Sequence, residues 1–480
     1  MTQWIFRKAV LAITVAGIAL MTASLVAACG DNAGDPQDAG PPDATPVGFP
    51  TYDPWMVMNS ADLPPVRGYT VQRGIIHCHS PYSHDACDGL PRNADDERNE
   101  ACFDDVRRGM CVTGQDFVFM TDHDDLYAYY DYPEVLLQAD GDELILRGGL
   151  PVANRVNCGD GHSVILAAGT ESDMMPIGLE HHVGDTLADR LDAYNTISAT
   201  ALYALQDAGA LVFLQHTEGW DATTVLTLPI DGIEIYNLHF NMMDNLAVVA
   251  ALGIDLLFAP ETLGEPEIGL LAVFQENEED LAHWSRLVMQ RRIVGALASD
   301  AHQNVADDVL EDGDRLDSFR RIMRWFSNYV LVPDGPVDDL VVKQAVAAGR
   351  MYGTFDVLGY PVGFDFRAEA GGTIYELGEQ VPVGENATLF VEMPEIWRLH
   401  PYGPQPSFTA RILKADHGAW IEVASGDTSL SYDAEPGAYR AEIRMVPEHL
   451  RPWCGPRADE WIVERPWIYS NVIYVNTNFP

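Results

Sequence analysis

From about residue 70 to residue 300, short apolar runs alternate with amphipathic stretches. Residues 71–77, 116–121, 163–168, 210–215, 232–236 and 293–298 are short runs, rich in apolar and β-branched side chains. Such runs predict strands covered on both faces. Between and after them, residues 186–208, 277–292, 315–326 and 341–350 carry apolar positions at helical spacing. The 277–292 stretch starts acidic and ends basic, which complements a helix dipole. Strand and helix in alternation predict an α/β fold, a parallel sheet or barrel. After about Tyr360 the pattern changes. ATLFVEM, SFTARILKA, AWIEVAS, YRAEIRMV and SNVIYVN follow one another with Pro/Gly turns and almost no helical period. They predict a smaller, all-β sandwich domain. The expected division is an α/β domain over residues 67–360 and a β domain over 361–480.

Composition narrows the function. The chain has 480 residues, 47% hydrophobic and 21% charged, which excludes wholesale disorder and allows a sizeable core. Against 29 Lys+Arg stand 72 Asp+Glu, a formal net charge of −43, and the only lysines are Lys8, Lys343 and Lys414. Phosphate backbones require a basic face, so nucleic acid is not an expected partner. An anionic lipid surface is not an electrostatic partner either. Such a surface does concentrate cations, metal ions included.

At the N-terminus, Arg7 and Lys8 precede an apolar run from Ala9 to Ala28. It closes on Val26-Ala27-Ala28-Cys29, which resembles the lipobox of a bacterial lipoprotein signal peptide. That resemblance implies a cleaved signal over residues 1–28 and an acylated Cys29, with the protein exported and lipid-anchored to a bacterial membrane, periplasmic or at the cell surface. The alternative is an uncleaved transmembrane anchor, since the run is long enough to span. Residues 29–66 begin with GDNAGDPQDAGPPDATPVGFP, an acidic Pro/Gly/Ala composition that predicts a flexible tether.

The other cysteines are Cys78, Cys87, Cys102, Cys111, Cys158 and Cys454. In an exported chain they suggest disulfides, with a local staple among Cys87, Cys102 and Cys111. Free buried thiols and a thiolate metal site are the alternatives. No CxxC pair supports a zinc ribbon.

Of 14 histidines, 11 fall between His77 and His302. Asp122 and His123, Glu171, His216, and Asp300 and His302 each follow an expected strand. In parallel α/β folds the C-terminal strand ends converge, so these side chains are expected to meet. Imidazoles and carboxylates together suit zinc, manganese or iron. More than four ligands implies more than one ion. Two or three close ions can hold a bridging hydroxide as nucleophile and stabilise a hydrolytic transition state.

These residues carry a family resemblance. His77-Cys78-His79-Ser80 with Ser83-His84-Asp85 resembles the opening HxH(S/T)…S…D signature of the PHP (polymerase and histidinol phosphatase) superfamily. Thr121-Asp122-His123 resembles its second motif, Leu214-Gln215-His216 its third, and Ala298-Ser299-Asp300-Ala301-His302 its terminal DxH motif. Glu171, after an apolar strand and Gly-Thr, resembles its bridging glutamate. Downstream, AVAAGRMYGTF, PGAYRAEIR and WIYSNVIYVN are similar to a branch with a carbaryl-hydrolase-like member, which carries a β domain after the barrel.

The resemblance implies a distorted (βα)7 barrel and two or three divalent ions. His77, His79, Glu171 and Asp300 would hold the first. Glu171, a histidine of the His181-His182 pair, and His216 would hold the second. Asp85 or His84, with His123 and His302, would hold the third. Asp85 is preferred because its Ser-x-Asp spacing matches some relatives. His182 is preferred because relatives place an apolar residue next, as Val183 does here. His77, His79, Glu171, His216 and Asp300 would form the catalytic core.

Other residues get plainer expectations. Glu234 would orient a ligand histidine or form a salt bridge. His162 and His239 are read as loop or core residues, and His283, His400, His417 and His449 as surface residues. The charge run 276–280 is read as a solvated helix start, and Arg73, Arg92 and Arg155 as surface ion pairs. The leading functional expectation is a metal-dependent phosphoesterase acting on a small-molecule phosphoester. A related carbamate, amide or carboxylic-ester hydrolase comes second. A non-catalytic, metal-stabilised surface binding lipoprotein comes third.

Overall fold

The computed structural model of the chain describes residues 53–306 and 309–477. Residues 1–28 and the candidate lipidation site Cys29 lie outside the described residues. Among the described residues no helix is long and apolar enough to cross a membrane.

Seven strands form the framework of the first region: β1 (Tyr69–Cys78), β2 (Phe117–Phe119), β3 (Ser163–Ala167), β4 (Met175–Ile177), β5 (Leu211–Leu214), β6 (Gly232–Asn237) and β7 (Val294–Ala301). In the order β3-β2-β1-β7-β6-β5 every neighbouring pair is parallel. Strand β4 runs antiparallel beside β5, and an isolated antiparallel bridge joins Ala168 to Leu179. Every residue of β2, β6 and β7 is buried, which is why these runs lack polar alternation. Close packing fixes some backbone positions: a Cβ on Gly295 would meet the Trp284 ring at 2.8 Å. Each expected parallel-type run is a strand, with ends moved by a few residues.

The helices are α1 (Glu100–Val112), α2 (Leu187–Tyr194), α3 (Ala199–Asp207), α4 (Leu238–Asp244), α5 (Leu246–Phe258), α6 (Glu278–Val288), α7 (Phe319–Trp325) and α8 (Asp339–Ala347). The single helical stretch expected over 186–208 is two helices. Thr186 and Asp189 form a capping box on α2, and the Ser198 side chain accepts from Ala201 N to start α3.

Two further strands, β8 (Ser327–Pro333) and β9 (Met351–Thr354), continue the sheet antiparallel from the first half of β1. The second region is built mainly from antiparallel strands. Its strands β10 (Asp365–Ala370) and β11 (Ala387–Glu392) alternate buried and partly exposed positions, the mark of a sheet with one covered face. Strands β12 (Ser407–Asp416), β13 (Ala419–Gly426), β14 (Leu430–Ala434), β15 (Gly437–Val446) and β16 (Arg465–Ser470) complete the principal strands. Strand β16 pairs with both β15 and β9, so one sheet continues from the first region into the second. The Asn471 side chain accepts from Gly295 N and donates to Gly295 O, both at 2.9 Å.

Several expectations change here. The end of the expected tether, residues 53–66, lies against the fold: Met58 is buried and Ser60 Oγ donates to Asp116 at 2.8 Å. Trp55 and Met58 are apolar enough to pack. Arg73 is fully buried, with Nη2 3.0 Å from Asp356. His449 is also buried, its Nε2 donating to Leu358 O at 3.0 Å. Asp280 is buried on the inner face of α6 rather than solvated. The cysteine alternatives divide: Cys87–Cys102 and Cys111–Cys158 are disulfides, while Cys78 and Cys454 are buried thiols.

Candidate metal centre

The parallel strands deliver acids and imidazoles to one end of the sheet. Strand β1 carries His77 one residue before its end, with His79 just beyond. Past β2, the short strand Asp122–His123 pairs with Thr170–Glu171, which follows β3. His216 follows β5, His239 opens α4 after β6, and β7 carries Asp300 with His302 one residue past its end. His77, His216 and Asp300 adopt left-handed φ values of 66°, 46° and 51°. Non-glycine residues rarely do so, and such strain concentrates at functional sites.

The first group is compact. His77 Nε2 lies 3.2 Å from His79 Nε2, 3.3 Å from Glu171 Oε2 and 3.2 Å from Asp300 Oδ1. His79 Nε2 lies 3.3 Å from each of the same two carboxylate oxygens. Donors bound about 2.0–2.1 Å from one tetrahedral ion stand about 3.3–3.4 Å apart. These five distances are close to that spacing, and all four ligand atoms lie within 4.8 Å of one another. Beside them, Asp85 Oδ2 lies 3.4 Å from His123 Nε2 and 3.3 Å from His302 Nε2. On the other side, His216 Nε2 lies 3.0 Å from Glu171 Oε1 and 3.7 Å from Asp300 Oδ2. Glu171 and Asp300 thus present both oxygens to the cluster.

The outer hydrogen bonds orient the rings. His77 Nδ1 donates to Glu234, and His302 Nδ1 donates to Asp300 O at 2.8 Å. His79 Nδ1 is 3.0 Å from Ser83 Oγ, and His123 Nδ1 donates to Glu171 O at 3.3 Å. With Nδ1 engaged, each ring turns Nε2 toward the carboxylates, the usual arrangement of metal-binding imidazoles. Glu234 is fully buried; its other oxygen accepts from His216 N at 3.1 Å and Asn237 Nδ2 at 3.2 Å. Of its two expected roles it takes that of orienting a histidine. Asp122 points away from the cluster and accepts from Ser80 N and Oγ, fixing the loop after His79.

Three expected candidates stand apart. His84 is 53% exposed and pairs with Asp125 at 2.8 Å, so Asp85 is the member of that pair that joins the cluster. His182 spends both ring nitrogens elsewhere, Nδ1 on Tyr194 OH at 2.8 Å and Nε2 on Tyr130 O at 2.7 Å. His181 is exposed, with Nδ1 3.0 Å from His182 O. One residue joins that sequence reasoning left out: His239 Nδ1 lies 3.1 Å from Asp300 Oδ2. Its position just past an apolar strand was the available signal.

The electrostatics call for positive charge. Burial would raise Glu171 and Asp300, but neighbouring imidazoles led by His77 hold both well below the usual carboxylate range. Burial would lower His77, yet Asp300, Glu234 and Glu171 hold it well above its ordinary value. Against burial, Glu171 with Glu218 and Asp300 raises His216 to about 11, and Asp85 with Glu171 and Asp300 raises His123 to about 9. His79, buried beside His302, falls to about 4. Asp300 Oδ1 and His302 Nε2 are buried without a hydrogen-bond partner. Buried carboxylates need either protons on their imidazole neighbours or cations between them. Donor types, spacing and orphaned atoms all fit divalent ions.

No protein-family model and no curated protein matches the chain. Among solved structures it is similar to a two-domain protein from Bacteroides vulgatus containing a predicted PHP-like metal-dependent phosphoesterase. The TM-score is 0.31 at 14% sequence identity, covering 79% of this chain and 92% of that one.

Proposed function

We propose that this protein is a metal-dependent hydrolase and that its substrate is a small-molecule phosphoester. The carrying observation is that His77 Nε2 and His79 Nε2 lie 3.2 Å apart and each 3.2–3.3 Å from both Glu171 Oε2 and Asp300 Oδ1. His77, His79, Glu171 and Asp300 would hold one ion, Asp85, His123 and His302 another, and His216 with Glu171 a further one. Zinc, manganese or iron bound there supplies Lewis-acid charge and activates a water for attack. Glu234 holds the His77 ring against rotation. His123 and His216 are 24% and 42% exposed, so the cluster is approached from their side. In the same reading, the strand series closes through the Ala168–Leu179 bridge into a distorted (βα)7 barrel. Cys29 is acylated and holds the exported enzyme at a bacterial membrane.

A second reading is favoured by one observation. Leu252, Leu256, Leu263, Ala306 and Leu316 line an apolar groove of about 80 Å³. Its walls continue from elements of the site: α5 follows the helix of His239, and Ala306 stands four residues past His302. An apolar groove suits a carbamate or carboxylic ester with an apolar group. The test strips the protein with a chelator, restores zinc, manganese or iron, and compares nitrophenyl phosphate, its phosphodiester and a nitrophenyl ester. Metal-dependent phosphoester turnover supports the first reading. A dominant carboxylic-ester rate favours the second, and no turnover on any of them removes the hydrolase assignment.

A further inference from the structure

Six parallel strands end at the cluster, and the end of β6 is the one to which the hydrolase reading gives no ligand. Asn237 closes that strand and caps α4, its side chain accepting from Phe240 N at 2.9 Å. The same side chain donates to Glu234 at 3.2 Å and to Asp300 Oδ2 at 3.4 Å. This pins the start of α4 over the carboxylates. His239, its second residue, places Nδ1 3.1 Å from Asp300 Oδ2 and its ring centroid 5.1 Å from that of His302. The donors Glu171 Oε1, His216 Nε2, Asp300 Oδ2 and His239 Nδ1 then follow one another at 3.0, 3.7 and 3.1 Å. His239, Asp300 and His302 bring ligand atoms to within 4.8 Å of one another, close enough to hold an ion.

The histidine pair to which the family resemblance assigns a ligand role is committed elsewhere. The His182 ring lies among Tyr127, Tyr132 and Tyr194, with centroid separations of 4.9, 5.5 and 6.2 Å. Both its nitrogens are hydrogen-bonded, and freeing one would strand a tyrosine hydroxyl or a carbonyl.

We propose that His239 is an ion ligand paired with Asp300, taking the ligand role that the resemblance gives to His181 or His182. The inference rests on the metal-centre reading above. The metal-free full chain is reloaded with zinc, freed of excess, and its zinc counted by mass spectrometry for wild type, His239→Ala, His239→Asp and His182→Ala. His239→Ala is expected to carry one ion fewer per chain than wild type, and His182→Ala the wild-type number. Aspartate can place an oxygen near the position of Nδ1, so His239→Asp is expected to recover the lost ion. Circular dichroism of each variant separates a lost ion from a lost fold. If His239→Ala folds and keeps every ion, or if His182→Ala is the variant that loses one, the assignment is overturned. If wild type itself retains no zinc, the metal-centre reading fails, and this inference with it.

Discussion

Glu234 ties the cluster to the sheet beneath it. One oxygen fixes His77 Nδ1, and the other holds the backbone at His216, so one carboxylate sets two strand ends. Glu234→Gln keeps the shape but replaces the carboxyl that holds His77 Nδ1 with an amide. Metal affinity is expected to fall about 10–100-fold, the usual loss when such a partner is removed, and chelator competition measures it. Asp280 makes a different prediction. Burial and the charges of Glu218 and Glu234 push its carboxyl up to about 8, with His216 opposing. Neither oxygen has a hydrogen-bond partner. An unfolded carboxyl titrates near 3.8, so between that pH and about 8 the folded form keeps a proton the unfolded form has lost. Stability therefore falls as pH rises through that window. Asp280→Asn should raise the melting temperature by several degrees above pH 8 and leave it nearly unchanged at the acid end. Equal melting at all pH values would refute the buried charge. The cluster residues His77, His79, Glu171, His216, Asp300 and His302 were legible because each sits at or just past a strand. His239 stands as close to a strand end, two residues past β6, but it falls in none of the motifs that carried the resemblance, so nothing in the sequence set it apart from a core histidine. Hydrogen bonds to Tyr194 and Tyr130 divert His182, and the apolar neighbour Val183 says nothing about them.

At the scale of elements, the segment carrying Asp85 is held from two directions. Cys87 N donates to His302 O at 3.0 Å, and the Cys87–Cys102 disulfide ties the segment to α1. The bridge closes a separation of 15 residues, for which chain entropy gives about 3 kcal/mol. Cys87→Ala with Cys102→Ala should lower the unfolding free energy by about that amount in a denaturant titration. The double variant should also bind metal more weakly, because Asp85 stands two residues from the lost bridge. A loss of stability without any change in metal binding would show that the His302 backbone contact alone positions Asp85. Elements were legible wherever a run is buried on both faces, as in β6 and β7. The break between α2 and α3 was not, because apolar spacing continues through it. Its signals are local: Asn195 ends one helix and Ser198 caps the next. The hairpin Glu143–Arg147 and Leu150–Asn157 was also missed, since the apolar run of its first strand is only three residues long and no residue of that strand is buried.

Across the whole molecule, the change of pattern near Tyr360 marks where α/β gives way to strands, but it does not reveal which strands become partners. Strand β9 lies before that point and β16 more than a hundred residues after it, and they pair through Tyr352–Ser470, Gly353–Tyr469 and Thr354–Ile468. Asn471 satisfies both backbone groups of Gly295 on β7, the strand that also carries Asp300. The Tyr474 hydroxyl accepts from Ile293 N, just before that strand, at 3.3 Å. Residues 67–360 alone would expose the edge of β9, uncover its apolar neighbours and leave Gly295 unpaired. Open edges of this kind recruit other chains. The isolated segment is therefore expected to aggregate, and co-expression with residues 361–480 to restore a soluble particle of full-chain size on gel filtration. A soluble, monomeric 67–360 segment with the zinc content of the full chain would mean that the shared sheet is a contact between independent units. The strand carrying Asp300 would then owe nothing to the region that β16 brings against it.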